Sequence, residues 1–125
     1  MLDHLGLEVG DFDRSKAFYE RALEPLGVSV LMEPAPGVAG FGEQHDQKPY
    51  FWIATRSGKP QTGVHVAFAV DTRELVDAFH AAALDAGATD NGAPGMRTMY
   101  HPHYYGAYVL DPDGNNVEAC CHYPA

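Results

Sequence analysis

The chain has 125 residues, 46% of them apolar and 20% charged, enough for one domain that buries roughly two thirds of the surface its unfolded chain exposes. Its 17 acidic and 8 basic residues give a formal charge of −9 with no lysine or arginine cluster, which argues against a nucleic-acid partner. No apolar stretch reaches membrane-spanning length, no basic region and apolar leader precede the first strand-like segment, and the adjacent Cys120 and Cys121 suit free thiols better than a strained disulfide, so a cytoplasmic protein with no membrane partner is expected.

Residues 2–9 alternate: Leu5, Leu7 and Val9 point one way and His4, Gly6 and Glu8 the other, the pattern of a strand with one apolar face against helices and one small or polar face lining a cavity. A helix is expected over residues 13–24, capped by Asp11 or Asp13. Phe18 and Ala22 share its apolar side with Ala17 beside them, and burying Phe18 contributes about 2 kcal/mol. Pro25 and Gly27 stop it. Residues 28–32 read as a short strand, 33–40 as a turn-rich loop, 41–43 as a further strand and 50–55 as a stronger one. A linker at residues 58–60 separates module one, 1–57, from module two, 61–125.

Module two repeats module one. Leu2 to Tyr19 overlays Gly63 to His80 at a constant offset of 61, with His65 falling on His4, Val70 on Val9, Ala78 on Ala17 and Phe79 on Phe18. Val64, Val66, Phe68 and Val70 alternate with Gly63, His65, Ala67 and Ala69. Asp71 and Glu74 have the spacing of a capping box. Leu75, Phe79, Ala82 and Ala86 form the stripe of the following helix, which Gly87 ends. Residues 91–102 look irregular, long enough for a rim or lid. Strands are expected over 105–110 and 116–121, joined by a tight turn at Asp111-Pro112-Asp113-Gly114. The order is β-α-β-β-β twice. With only two helices, a doubly wound parallel sheet is disfavoured.

His4, His65 and Glu118 all fall in strand-like runs on the small or polar side. Two imidazoles and a carboxylate can hold one divalent metal and leave positions open for substrate. The opening LDHLGLEVGDFDRSKAFYERAL, the segment GVHVAFAV and the ending YYGAYVLDPDGNNVEACCH resemble the vicinal oxygen chelate superfamily, which includes glyoxalase I, extradiol dioxygenases and bleomycin resistance proteins. The resemblance covers nearly the whole chain. It implies an α+β fold of two tandem βαβββ modules, with eight strands in a half-open cup and flanking helices. It also implies a metal on His4, His65 and Glu118, whether Fe, Mn, Ni, Co or Zn, and a homodimer, in some relatives with modules paired across chains. A single-chain cup is the expectation here.

Glyoxalase I has a further glutamate on its fourth strand, and Tyr50-Phe51-Trp52-Ile53-Ala54-Thr55 has no acid. Tyr108, the Asp111 to Gly114 turn and Glu118 instead match part of the extradiol signature. The resemblance therefore implies a metal-dependent enzyme for a small substrate with vicinal oxygens, of extradiol-dioxygenase type. A glyoxalase-like lyase or isomerase and a non-catalytic binding protein are the alternatives. Tyr108 would donate to a substrate oxygen, and His101 or His103 would shuttle a proton. Trp52, Phe41, Tyr105 and Cys120 would line the pocket.

Overall fold

Alternating strands and two amphipathic helices build two sheets of the same design. The computed structural model describes residues 1–125. Module one contributes β1 (Leu5–Glu8), α1 (Phe12–Leu23), β2 (Val28–Ala35), β3 (Val38–Glu43) and β4 (Lys48–Ala54). Module two contributes β5 (His65–Ala69), α2 (Arg73–Asp85), β6 (Thr89–Met96), β7 (Tyr105–Leu110) and β8 (Asn116–Cys121). The sheet orders are β1-β4-β3-β2 and β5-β8-β7-β6. In each, the first strand runs parallel to the last and the other pairs are antiparallel. The helices begin at Phe12 and Arg73, the same 61-residue offset as the repeat. The eight strands form a half-open cup, not a closed barrel, as the α+β expectation required.

Several local expectations change. Residues 33–40 are a hairpin, not a loop: β2 runs to Ala35, and Pro36-Gly37 makes the turn into β3 with Gly37 at φ 75°. Residues 91–96 are strand, despite Gly92, Pro94 and Gly95. Both β2 and β6 are edge strands with shifted register, where a proline's missing N–H costs no ladder bond. The caps are Asp11, accepting from the Arg14 N–H, and Thr72, accepting from the Leu75 N–H, so Thr72 displaces Asp71. The stripe of α2 is rotated, with Val76, Phe79, His80 and Ala83 buried. Polar His80 is held there by Asp90, 3.0 Å from its Nε2.

One core of 21 residues draws on both modules. Tyr19 of α1 meets Phe51 of β4 at 5.0 Å between ring centroids, and Phe51 meets Phe68 of β5 at 5.5 Å, both edge-on, a geometry that adds to area burial. Tyr19 also donates its hydroxyl to Asp111 at 2.5 Å, tying α1 to the β7–β8 turn. Arg21 pairs with Asp85 across the two helices.

Tyr19→Phe is expected to cost about 1–3 kcal/mol, because it strips a donor from a buried carboxylate, with both modules still unfolding in one transition by urea denaturation. Burial, and then Asp111, raise the Tyr19 phenol well above its ordinary range. The unfolded chain therefore releases that proton first, so its contribution to stability is complete below about pH 10 and declines above it. Tyr19→Phe is expected to make the alkaline decline shallower, which denaturation from pH 8 upward checks.

Candidate metal and substrate face

Side chains directly opposite one another in a sheet share a face. Register across module two aligns Gly92, Tyr108, Glu118 and Ala67 in one row, and Gly95, Gly106, Cys120 and Ala69 in another. The alternate residues Val66, Phe68, Ala107, Val109, Val117, Ala119 and Cys121 belong to the core. The face opposite the core is thus a floor of glycine, alanine and thiol carrying a few reactive groups.

Glu118 is the chief of these. It is 1% exposed, and its Oε1 lies 2.8 Å from His65 Nε2. Tyr104 donates its hydroxyl to Oε2. Gly106 makes this possible: a Cβ there would lie 3.1 Å from Glu118 Oε2 and 3.1 Å from the Tyr104 ring. The Tyr104 ring is packed edge-on by Tyr100 and His122. Tyr108 stands beside His65, with ring centroids 6.3 Å apart. Burial and the Glu118 carboxylate push both phenols upward, Tyr104 furthest, so both remain donors at neutral pH. Burial likewise raises the Cys120 thiol, which leaves it a pocket-lining group and not a nucleophile.

His4 does not join this pair. It lies one residue before β1, bonded through Nδ1 to Asp3 at 2.7 Å, while Asp3 also takes Lys48. No group of three His, Cys, Asp or Glu side chains in one chain is placed to hold a metal. His4 instead stands where two grooves meet. One, of about 340 Å³, runs past Leu5, Tyr50 and β5. The other, of about 610 Å³, covers the open face of the first sheet, lined by Gly6, Glu8, Trp52, Arg56 and Gln61. Trp52 lies close over Gly40, where a Cβ would approach the indole to 2.8 Å.

The other expected site residues divide. Cys120 shares the Glu118 face, and Trp52 lines the larger groove. Phe41 is fully buried against Tyr19 and Phe51, so it is core and not pocket wall. Tyr105 faces α2, donating its hydroxyl to Asp77 at 2.6 Å under the Arg73 guanidinium. His101 and His103 are exposed on the loop after β6, with His101 Nδ1 accepting from the His103 N–H. Sequence reasoning did not place Tyr104 on Glu118 and assigned no role to Gly106 or Arg97. The Tyr104, Gly106, Tyr108 alternation opposite Glu118 was the available signal for the first two.

Residues 1–119 match the model of the Glyoxalase/Bleomycin resistance protein/Dioxygenase superfamily. The chain belongs to that superfamily. A glyoxalase/bleomycin resistance protein from Albidiferax ferrireducens T118 is 31% identical, with a TM-score of 0.81 over 98% of this chain and 99% of that one. A glyoxalase/bleomycin resistance protein/dioxygenase family enzyme from Burkholderia phytofirmans PsJN is 23% identical, with a TM-score of 0.73 over 97% and 98%, and shows the fold. An integron cassette protein from V. cholerae is 25% identical, with a TM-score of 0.69 over 98% and 95%. No curated protein matches the chain significantly. No helix of this superfamily member is long and apolar enough to cross a membrane.

Gly106→Ala is expected to lose about 1–3 kcal/mol by forcing Tyr104 and Glu118 apart. Gly6→Ala, where nothing lies within 4 Å of the added carbon, is expected to change stability by less than about 0.5 kcal/mol. Urea denaturation of both variants checks the contrast.

Proposed function

We propose that the chain is a mononuclear, divalent-metal-dependent enzyme of extradiol-dioxygenase type, acting on a small substrate with vicinal oxygens. Its cup is completed by a second copy. Glu118 carries the reading. A carboxylate 1% exposed is costly to bury without compensation. Here it sits on a floor of small residues, with an imidazole on one oxygen and a phenol on the other.

The donor types fit a metal, but one chain brings together only His65 and Glu118. The third donor, His4, has a side chain 59% exposed, and β1 and β5 are both free sheet edges. A homodimer in which each copy's first sheet faces the other's second sheet supplies that imidazole, from His4 of the partner subunit. Fe, Mn, Ni, Co or Zn bound there would supply Lewis acidity and open coordination positions.

The chain's own groups do the rest. Tyr104 fixes the orientation of Glu118. Tyr108 donates to a substrate oxygen. His101 or His103, exposed on the loop after β6, shuttles a proton. Trp52 offers a flat apolar wall. The lyase or isomerase alternative is weaker because β4 has no acid, and Glu43, at the end of β3, has Tyr50 and His45 as its neighbours. The non-catalytic alternative draws on the lack of a three-donor group within one chain. The two cysteines are buried and free, in keeping with a cytoplasmic setting.

Metal analysis of protein purified without a histidine tag is the test. About one metal per chain is expected in the wild type, with loss in His4→Ala, His65→Ala and Glu118→Gln. No bound metal and no uptake on titration would leave the binding-protein alternative standing.

A further inference from the structure

Arg97 follows β6 directly, and its guanidinium comes to lie on the Glu118 face. Its Cζ is 5.3 Å from the centroid of the Tyr108 ring. Its Nη2 donates to the Ala93 carbonyl at 2.9 Å and its Nη1 to the Met96 carbonyl at 3.4 Å. Its backbone N–H donates to the Tyr104 carbonyl at 2.8 Å. The edge strand is bare beneath it. A Cβ at Gly95 would come to 2.9 Å from Nη1, and one at Gly92 to 3.4 Å from Nη2. Arg97 pairs with no carboxylate, as is also true of Arg14, Arg56, Lys59 and Arg73; what sets it apart is its seat on the Glu118 face over bare backbone. A guanidinium has five N–H donors in a rigid fork, and the two carbonyls use two of them.

We infer that Arg97 anchors a carboxylate of the substrate, so that the substrate is a small organic acid whose carboxylate sits on this guanidinium while its neighbouring oxygens extend along Tyr108 toward His65 and Glu118. The inference rests on the reading of this face as the substrate's side. The fork matches a carboxylate bidentately. Tyr108 touches both ends of the arrangement, with Arg97 against its ring and His65 beside it. One guanidinium balances one negative charge. The stacking and the two carbonyl bonds hold the fork before any ligand arrives, which lowers the ordering cost of binding.

The test uses the full metal-free chain, with sodium benzoate and neutral benzamide as probes at matched ionic strength. The readout is the arginine Nε–H signal of Arg97 in proton–nitrogen NMR spectra, assigned by its absence in Arg97→Gln. Benzoate is expected to shift that signal saturably and to bind about tenfold more tightly than benzamide. Arg97→Gln should abolish the preference, and Arg97→Lys should keep part of it. A benzoate preference that survives in Arg97→Gln, or no saturable shift in the wild type, overturns the inference. So does Arg97→Gln protein of altered size in size-exclusion chromatography, since Arg97 would then be an interface residue. Metal content separates the two claims. Metal bound with no benzoate preference sinks the anchor alone, while benzoate held on Arg97 with no metal uptake sinks the metal reading alone.

Discussion

Asp111 is 5% exposed and accepts four hydrogen bonds, from the Tyr19 hydroxyl, the Asp113 and Asn115 N–H groups and the Asn115 side-chain amide. A buried carboxylate is costly to leave short of any of these donors. The constraint works in two directions. Within module two it closes the Asp111 to Gly114 turn, with Gly114 at φ 87°, and so fixes the register of β8 against β7. Toward module one it holds α1, while Asn115 also accepts from the Val64 N–H and donates to the Gln61 carbonyl, placing the start of β5. The register of β8 and the start of β5 are what bring Glu118 opposite Tyr108 and within reach of His65.

The functional face follows from that placement together with a choice of small residues. A strand face of ordinary side chains would shield Glu118 with bulk. Here Gly92, Gly95, Gly106, Ala67 and Ala69 leave the floor open, so the burial of Glu118 is achieved by partners, His65 and Tyr104, and not by an apolar lid. The same economy seats the Arg97 fork on bare backbone and gives Trp52 its place over Gly40. Both sheets therefore keep bulky apolar residues on the core side and spend their other face on a few polar groups. That division is what makes one half of a cup useful to the other.

Much of this was legible in the sequence because period-two alternation and a 61-residue repeat are strong, local signals. Leu5, Leu7 and Val9, or Val66 and Phe68, identify the core side unaided, and the repeat fixes the sheet order of one module from the other. Edge strands were harder to read. Pro34 and Pro94 look like breakers until it is known that β2 and β6 have no second neighbour. Phe41 and Tyr105 were misplaced for a related reason, since the side an aromatic takes depends on register, which composition does not encode. Arg97 gave no signal at all. A single arginine after a glycine-rich stretch acquires meaning only when those glycines lie beneath its guanidinium. Likewise, matched histidines indicate a shared origin of position, but not that both reach one point within one chain.

Under the proposed function, the metal site takes His4 from one copy and His65 and Glu118 from another. Metal uptake by a refolded equimolar mixture of His4→Ala and Glu118→Gln chains separates a shared site from one built within a single chain. Each variant alone should bind no metal. In the mixed dimer one site combines both defects and the other has neither, so one metal is expected back per mixed dimer. Mixtures that form dimers yet take up no metal would contradict it.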